Sequence, residues 1–300
     1  MDMKATEASP TEGVLIVDKP FGWTSHDVIA KLRGILGLKR LGHTGTLDPG
    51  ATGVLIVAVG RATRLIRFLD DLPKRYTGEL VLGSTTTTLD DQGEINGTFD
   101  MSEVTLSQVK EVAERFVGRI DQVPPMVSAL KVNGKRLHEL ARAGIEVERK
   151  ARPVTVHSLE IAESSDSGVF TMRVECSSGT YIRTLADDIG RGLDGGAHLR
   201  RLRRTGIGLF LESEAVSLDA LAQDWKPHLR PPSALVQHLP NVAVGSQAAS
   251  AISHGQSLDP VIFPDDPEGP WAVVDKGGRL LAVYESRGDA MRPAVVLAAH

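Results

Sequence analysis

A single carboxylate, Asp48, stands in the stretch GHTGTLDPGATGVLIVAVG, residues 42–60, among glycines, threonines and one proline. No second acid and no cysteine accompany it, and the only histidine is His43. Pro49 biases Asp48 away from helical geometry toward an extended one. The flanking glycines permit sharp turns and close approach of another backbone. The apolar run that follows anchors the loop to a core. The result is a carboxylate held at a strand edge in a glycine-lined hollow. A glycosidase needs two carboxylates at a set separation, and the stretch has only one. An Asp-Pro pair also serves as an Asx-turn, and spacing alone leaves both readings open.

Three further side chains raise the same question. Tyr76 follows Lys74-Arg75 at the start of a strand-like run. Aromatic residues are only 4% of the chain, so a tyrosine beside a polar motif is informative; its other reading is core packing. Tyr181 and Arg183 lie two apart in SSGTYIRTLADD, so an extended segment turns both to one side. A guanidinium there can pair with a carboxylate such as Asp48 and favour its charged form. The other reading is an arginine on the first turn of a surface helix. His43, His138, His157 and His198 sit in unrelated contexts, so no metal site is expected. No GxGxxG, P-loop or GxSxG motif is present. Cys176 is the only cysteine, which excludes an intrachain disulfide and a Cys-rich zinc site.

Composition bounds the class. The chain has 300 residues, 41% hydrophobic and 24% charged, as soluble globular proteins do. The start, MDMKATEASPTEG, is polar and has no apolar stretch of the signal-peptide kind. No apolar run reaches the roughly 20 residues of a membrane span. A cytoplasmic protein is expected. Net charge is −4, yet residues 1–204 hold 28 Lys and Arg against 27 Asp and Glu, and residues 205–300 hold 6 against 11. The acidity therefore belongs to the last third. Ahead of it, basic residues cluster at 38–40, at Arg61, Arg64 and Arg67, and in HLRRLRR at 198–204. Local patches of this kind govern electrostatic recognition more than the total does.

The elements that must position these residues follow from periodicity. GVLIV is a strand that ends in a Lys-Pro-Phe-Gly turn. Thr24 or Ser25 caps a helix with apolar residues at 28, 29, 32, 35 and 36. GVLIVAVG reads as a buried strand, RATRLIRFLDDL as a helix, KRYTGELVLG as a strand and LSQVKEVAERFVGRI as an amphipathic helix. A strand, a turn, an extended segment and a helix follow over 169–193. Pro-rich KPHLRPPS, 226–233, reads as a linker or an irregular edge. Two strands around Lys-Gly-Gly make a later hairpin. Strands and helices interleave without clean βαβ units, so the expected class is α+β. The expected organisation is a disordered start over 1–12, a main domain over 13–230 and a small β-rich domain over 240–300.

Taken together, VDKPFGWTSHDV, GHTGTLDPGATGVL, KRYTGELVLG, SALKVNGKRLHELARAGIEV, SSGTYIRTLADDIG and GGAHLRRLRRT closely resemble the bacterial tRNA pseudouridine-55 synthase family. They run in the family's order from about residue 13 to 205. One departure lies in GSTTTTLDDQGE, where Thr87 stands in place of the family's aspartate while Asp90 matches.

The resemblance implies a pseudouridine synthase fold with a mixed, largely antiparallel central sheet and a C-terminal PUA-like domain. It implies isomerisation of uridine 55 in the tRNA T-loop, without cofactor or metal. The base is detached from C1′, rotated and rejoined through C5. Asp48 is then the catalytic residue, Arg183 its partner, and Tyr76 the side chain that stacks on uracil and handles the C5 proton. His43 fills the space the flipped base leaves, and Tyr181 and Leu202 line the pocket. Lys19, Lys131, Arg142, Arg200, Arg201 and Arg204 contact phosphates. The segment at about 124–152 is an insertion that closes on the RNA. The expected partner is tRNA, bound by a monomer with no obligatory protein partner. Two alternatives stand beside this reading: guide-RNA-directed pseudouridylation, and a non-catalytic RNA-binding module.

Overall fold

The computed structural model describes residues 12–128, 130–132, 134–264 and 269–297. Of the segment 1–12, only Glu12 is among them; it pairs with Arg61 at 2.8 Å.

Two apolar strands pair in one half of the main sheet. β1 (Gly13–Lys19) reads GVLIVDK. It leads into α1 (Ser25–Leu36), β2 (Leu41–Thr44) and β3 (Thr52–Val59). β1 and β3 pair antiparallel from Gly13↔Val59 to Lys19↔Gly53. Successive side chains in a strand face opposite ways, and here both faces are covered. Leu15, Val17, Leu55 and Val57 pack against Val28, Ile29 and Leu32 of α1. Val14, Ile16, Val54 and Ile56 pack against Ala62, Leu65 and Leu69. That is why both strands are continuously apolar rather than alternating. Thr24 caps α1 through a capping box with Asp27, and Gly37 ends it in the left-handed region at φ 67°.

The helix expected after β3 is a 3-10 run, Gly60–Leu69. Three residues per turn bring Ala62 and Leu65 to one face. β4 (Lys74–Leu82) follows, then a hairpin of β5 (Ser84–Thr86) and β6 (Ile95–Thr98). The amphipathic helix expected through Ile120 stops earlier. α2 is Leu106–Glu114, and β7 (Gly118–Gln122) leaves it to pair with a sheet edge. A short hairpin, β8 (Lys131–Val132) with β9 (Lys135–Arg136), and α3 (Leu137–Arg142) occupy the expected insertion. Then come β10 (Arg152–Glu163), β11 (Val169–Cys176), α4 (Ile182–Gly192) and β12 (Ala197–Ile207). β13 (Phe210–Leu211), β14 (Val216–Ser217) and α5 (Leu218–Gln223) complete this part.

The central sheet runs β14-β1-β3-β12-β4-β11-β10-β7, with β2 on β3 and β13 on β12. The β1/β14 and β3/β12 pairs are parallel and the rest antiparallel. The class is α+β with a mixed, largely antiparallel sheet. β12 joins the two halves. It meets β3 only at Arg203↔Thr52 and Arg204↔Gly53. This close approach requires Gly53: a Cβ there would stand 2.2 Å from the Arg204 carbonyl oxygen.

A second sheet closes the chain: β15 (Asn241–Val244), β16 (Trp271–Asp275), β17 (Leu280–Arg287) and β18 (Ala290–Val296), with α6 (Ser246–Ser253) beside it. Ala272, Leu280 and Val283 share one apolar core with Val14 and Ile56. Arg67 pairs with Glu285 at 2.7 Å across the same junction. The Pro-rich segment is an edge rather than a free linker. Arg230 exchanges backbone hydrogen bonds with Val14, both at 3.0 Å, and Leu235 and Val236 are buried in the shared core. Among the described residues, no helix is long and apolar enough to cross a membrane.

Candidate active site

The loop that carries Asp48 is tied down on both sides. The turn Asp48–Ala51 is closed by Ala51 N–H donating to the Asp48 carbonyl at 3.0 Å. Before it, the Leu47 amide donates to Ser25 Oγ at 2.9 Å, at the start of α1. After it, the Pro49 carbonyl accepts from Gly22 N–H at 2.9 Å and from Lys19 Nζ at 3.3 Å. Lys19 is fully buried and also donates to the Pro20 and Trp23 carbonyls. Burial lowers its pKa to about 8, with the Asp48 charge acting the other way. The expectation that Lys19 meets phosphate is therefore corrected: its ammonium is spent inside the protein on three carbonyls.

Arg183 meets Asp48 from α4, whose Ile182 and Leu185 share a core with Leu47 and Ala51. It lies in the first turn of α4, with Tyr181 as N-cap, not on an extended segment. It is nonetheless 3% exposed. Nη2 stands 2.8 Å from Asp48 Oδ2 and donates to the Val127 carbonyl at 2.8 Å. Nη1 donates to the Thr88 carbonyl at 2.9 Å and lies 3.5 Å from Asp90 Oδ2. A buried guanidinium needs this many acceptors. The Asp48 side chain itself remains 45% exposed. Thr87 does not reach this cluster; its Oγ1 accepts from the Glu94 amide inside its own loop.

Asp48 and Arg183 open on a cavity of about 240 Å³ whose other walls include Tyr76, Tyr181, Leu202 and Arg204. Tyr76 projects from β4 and is 9% exposed. Burial pushes its phenol pKa up, and Arg204 acts against that shift. Burial raises Tyr181 too, with a hydrogen bond to Ser128 opposing. Leu202 reaches the cavity through a break in β12. The β12/β4 register shifts between Arg200 and Arg203, and Arg201 has φ 53°, a costly conformation for a non-glycine residue. That bulge lets one strand present Leu202 inward between outward arginines.

The basic residues divide into two kinds. Arg204 is 1% exposed and donates to the Val54 and Gly45 carbonyls. It floors the cavity, so its assignment to phosphate contact is corrected. Arg200 pairs with Glu79 and Asp166, and Arg203 with Asp18 and Glu212. Arg201 shares Glu79 but keeps 69% of its side chain exposed. The Lys131 and Arg142 side chains lie outside the described residues. His43, on β2, is not among the cavity walls. Burial first, then Arg204, lower its pKa and favour the neutral ring.

Several contributors carry no sequence signal. Gln122, 2% exposed at the end of β7, clamps Tyr181 through both backbone groups, its Oε1 accepting from the amide at 2.8 Å and its Nε2 donating to the carbonyl at 3.1 Å. Lys74, marked in the sequence only as a basic neighbour of Tyr76, lines the cavity, and burial, then Arg204, lower its pKa. The Thr88 and Val127 carbonyls could not be foreseen, because they are backbone atoms of distant loops.

The site has one carboxylate on a cavity ringed by buried cations, with two tyrosines and a leucine on its walls. Residues 33–182 match the TruB family pseudouridylate synthase N-terminal domain. Residues 183–242 match the tRNA pseudouridylate synthase B C-terminal domain, and 239–298 match tRNA pseudouridine synthase II, C terminal. The chain is 49% identical to tRNA pseudouridine synthase B of Symbiobacterium thermophilum, over 83% of each chain. The chain belongs to the TruB family.

It is also 45% identical to tRNA pseudouridine synthase B of Azoarcus sp., over 96% of this chain and 95% of that one. Among solved structures it is similar to one of a Cbf5-Nop10-Gar1 complex, with TM-score 0.77 and 29% identity over 96% of this chain and 86% of that one. A second is an H/ACA RNP bound to a substrate RNA containing 2′-deoxyuridine, with TM-score 0.75 and 26% identity over 95% and 85%. This member of the family is a pseudouridine synthase that acts on tRNA. The boundary between the first two family matches falls between Ile182 and Arg183, so the Asp48–Arg183 pair joins both.

Proposed function

We propose that the uridine this enzyme isomerises is uridine 55 of the tRNA T-loop, and that Asp48 carries the reaction. The observation that carries this reading is the Asp48–Arg183 pair, 2.8 Å apart, on a cavity walled by Tyr76, Tyr181 and Leu202. A base inside an RNA loop must leave its stack to enter such a cavity. The C1′–N1 bond then breaks, the base turns, and C1′–C5 forms. C5 loses a proton and N1 gains one, so the product is an isomer and no co-reactant is consumed.

Asp48 acts either as the nucleophile at C1′ or as the base that takes a sugar proton, and both routes require its free oxygen. Arg183 holds the carboxylate in place. Tyr76 stacks on the uracil and is placed to handle the C5 proton. The buried cations Lys74 and Arg204 on the cavity walls favour electron density on the detached ring. His43 fills the space left in the RNA. Arg200 and Arg201, with Lys131 and Arg142 of the 124–152 insertion, position the backbone through phosphates. The enzyme works as a monomer, without guide RNA. The higher identity to relatives named tRNA pseudouridine synthase B, 45–49% against 26–29% for the Cbf5-Nop10-Gar1 and H/ACA RNP structures, supports action without guide RNA.

The test is to incubate the purified protein with unmodified tRNA transcript and map pseudouridine by mass spectrometry of nuclease fragments. One pseudouridine at position 55 is expected, and none in a transcript with cytidine there. Modification at another site, or only when a guide RNA is supplied, overturns the reading.

A further inference from the structure

Exposed apolar side chains such as Leu209 and Val261 stand in scattered elements, as is normal for a protein surface. Phe21 is placed differently. It is 59% exposed, on the turn between β1 and α1. That turn is fastened to the loop of Asp48: Gly22 N–H donates to the Pro49 carbonyl, and Lys19 Nζ donates to both the Pro20 and Pro49 carbonyls. A Cβ on Gly50 would stand 4.0 Å from Phe21 Cε2 and 3.3 Å from Gln92 Cγ. The ring and the Gln92 side chain therefore flank a point two residues after Asp48.

Beside the main cavity lies a shallow hollow of about 20 Å³, lined by Asp48, Gly50, Gln92, Arg201 and Leu202. It is too small to swallow a second base, but it can seat an edge. Its lining offers the Gln92 carboxamide and the exposed Arg201 guanidinium, with the acids Asp90 and Asp91 beside them, and the Phe21 ring, outside the lining itself, comes near it at Gly50. That is the chemistry of single-stranded RNA recognition, where unstacked bases find aromatic faces. A loop that surrenders one base to the cavity unstacks its neighbour, and the neighbour needs a new face.

We propose that Phe21 stacks against the RNA base adjacent to the flipped uridine, with Gln92 at that base's edge and Arg201 at its phosphate. The inference rests on the reading that the cavity takes a loop uridine. Phe21 is a positioning residue. It holds the flipped-out state open and touches no reacting atom.

The experiment measures tritium release from T-arm hairpins labelled at C5 of the target. Each nucleotide flanking the target is replaced in turn by an abasic one. Wild type is compared with Phe21→Leu, which keeps apolar bulk without a π-face, and with Phe21→Tyr, which keeps the face. On the intact hairpin, Phe21→Leu raises KM by about 5- to 100-fold, the range of one lost base–aromatic stack, with kcat little changed; Phe21→Tyr restores it. At one flanking position the abasic hairpin raises the wild-type KM similarly, and Phe21→Leu adds nothing more. An unchanged KM in Phe21→Leu, or additive losses at every abasic position, overturns the inference. If wild type releases no tritium from the intact hairpin, the functional reading fails instead. Equilibrium binding of the same hairpins then decides on Phe21 by the same non-additivity.

Discussion

Arg183 Nη2 lies 2.8 Å from Asp48 Oδ2 and donates at the same length to the Val127 carbonyl, while Nη1 holds the Thr88 carbonyl. One guanidinium thus ties the Asp48 loop, the Thr-rich loop and the start of the 124–152 insertion to α4. The position of the carboxylate depends on all three.

Replacing Arg183 by methionine takes the ion-pair partner from Asp48 and the donor from two carbonyls, while Asp90 keeps the Thr88 hydroxyl and the Gln92 amide. Stability is expected to fall by about 2 kcal/mol, discounted because Asp48 is half-exposed. A misplaced carboxylate is expected to cost about 100-fold in turnover. Chemical denaturation and single-turnover tritium release check the two effects. Full turnover in a folded Arg183→Met protein would show that the pair is structural only.

The arginines of β12 should separate by salt dependence. Arg201, the most exposed of the four, is expected to lower the slope of log binding constant against log salt by up to about one counterion on change to glutamine. Arg200→Gln should change it less, because Glu79 and Asp166 already hold that side chain. Arg204→Gln should leave the slope unchanged while turnover falls. Equal slopes for wild type and Arg201→Gln would contradict this division.

A pH effect follows from Asp188 in α4. Burial, then the neighbouring Asp187, push its carboxyl up to about 6 from an ordinary 3.8, against the pull of Arg191. A raised folded value means the native state prefers the proton. This contribution to stability is present below the unfolded value and is lost as pH rises through about 6. Asp188→Asn removes the loss. Its melting temperature should exceed that of wild type above neutral pH, with the two converging in acid. A variant that melts lower at every pH would contradict the sign.

Much of this architecture was legible because local and global preferences agree. GVLIV and GVLIVAV read as strands and are strands, and Thr24 and the glycine at 37 mark both ends of α1. The pairing of Arg183 with Asp48 was foreseen from an extended segment, and the structure makes it from the first helical turn that was the other reading. What stayed hidden depends on tertiary contact. Lys19 and Arg204 look like any basic residues in a basic stretch, and only the fold turns them inward onto carbonyls. Gln122 has no neighbour in sequence that marks it as the clamp on Tyr181. The end of α2 at Glu114 was hidden because a sheet edge competes for residues 118–122.

The central claim is tested by Asp48→Asn. The change keeps the side chain's size but removes its charge and its nucleophilic or basic oxygen. Affinity for tRNA should change little, since phosphate contacts elsewhere supply most of it. A thermal melt confirms folding, with a small shift in either direction as Arg183 loses its ion pair and the cavity loses a charge. Release of tritium from C5-labelled uridine in tRNA is expected to fall to background. Release near the wild-type rate by a folded, tRNA-bound Asp48→Asn protein would contradict the account.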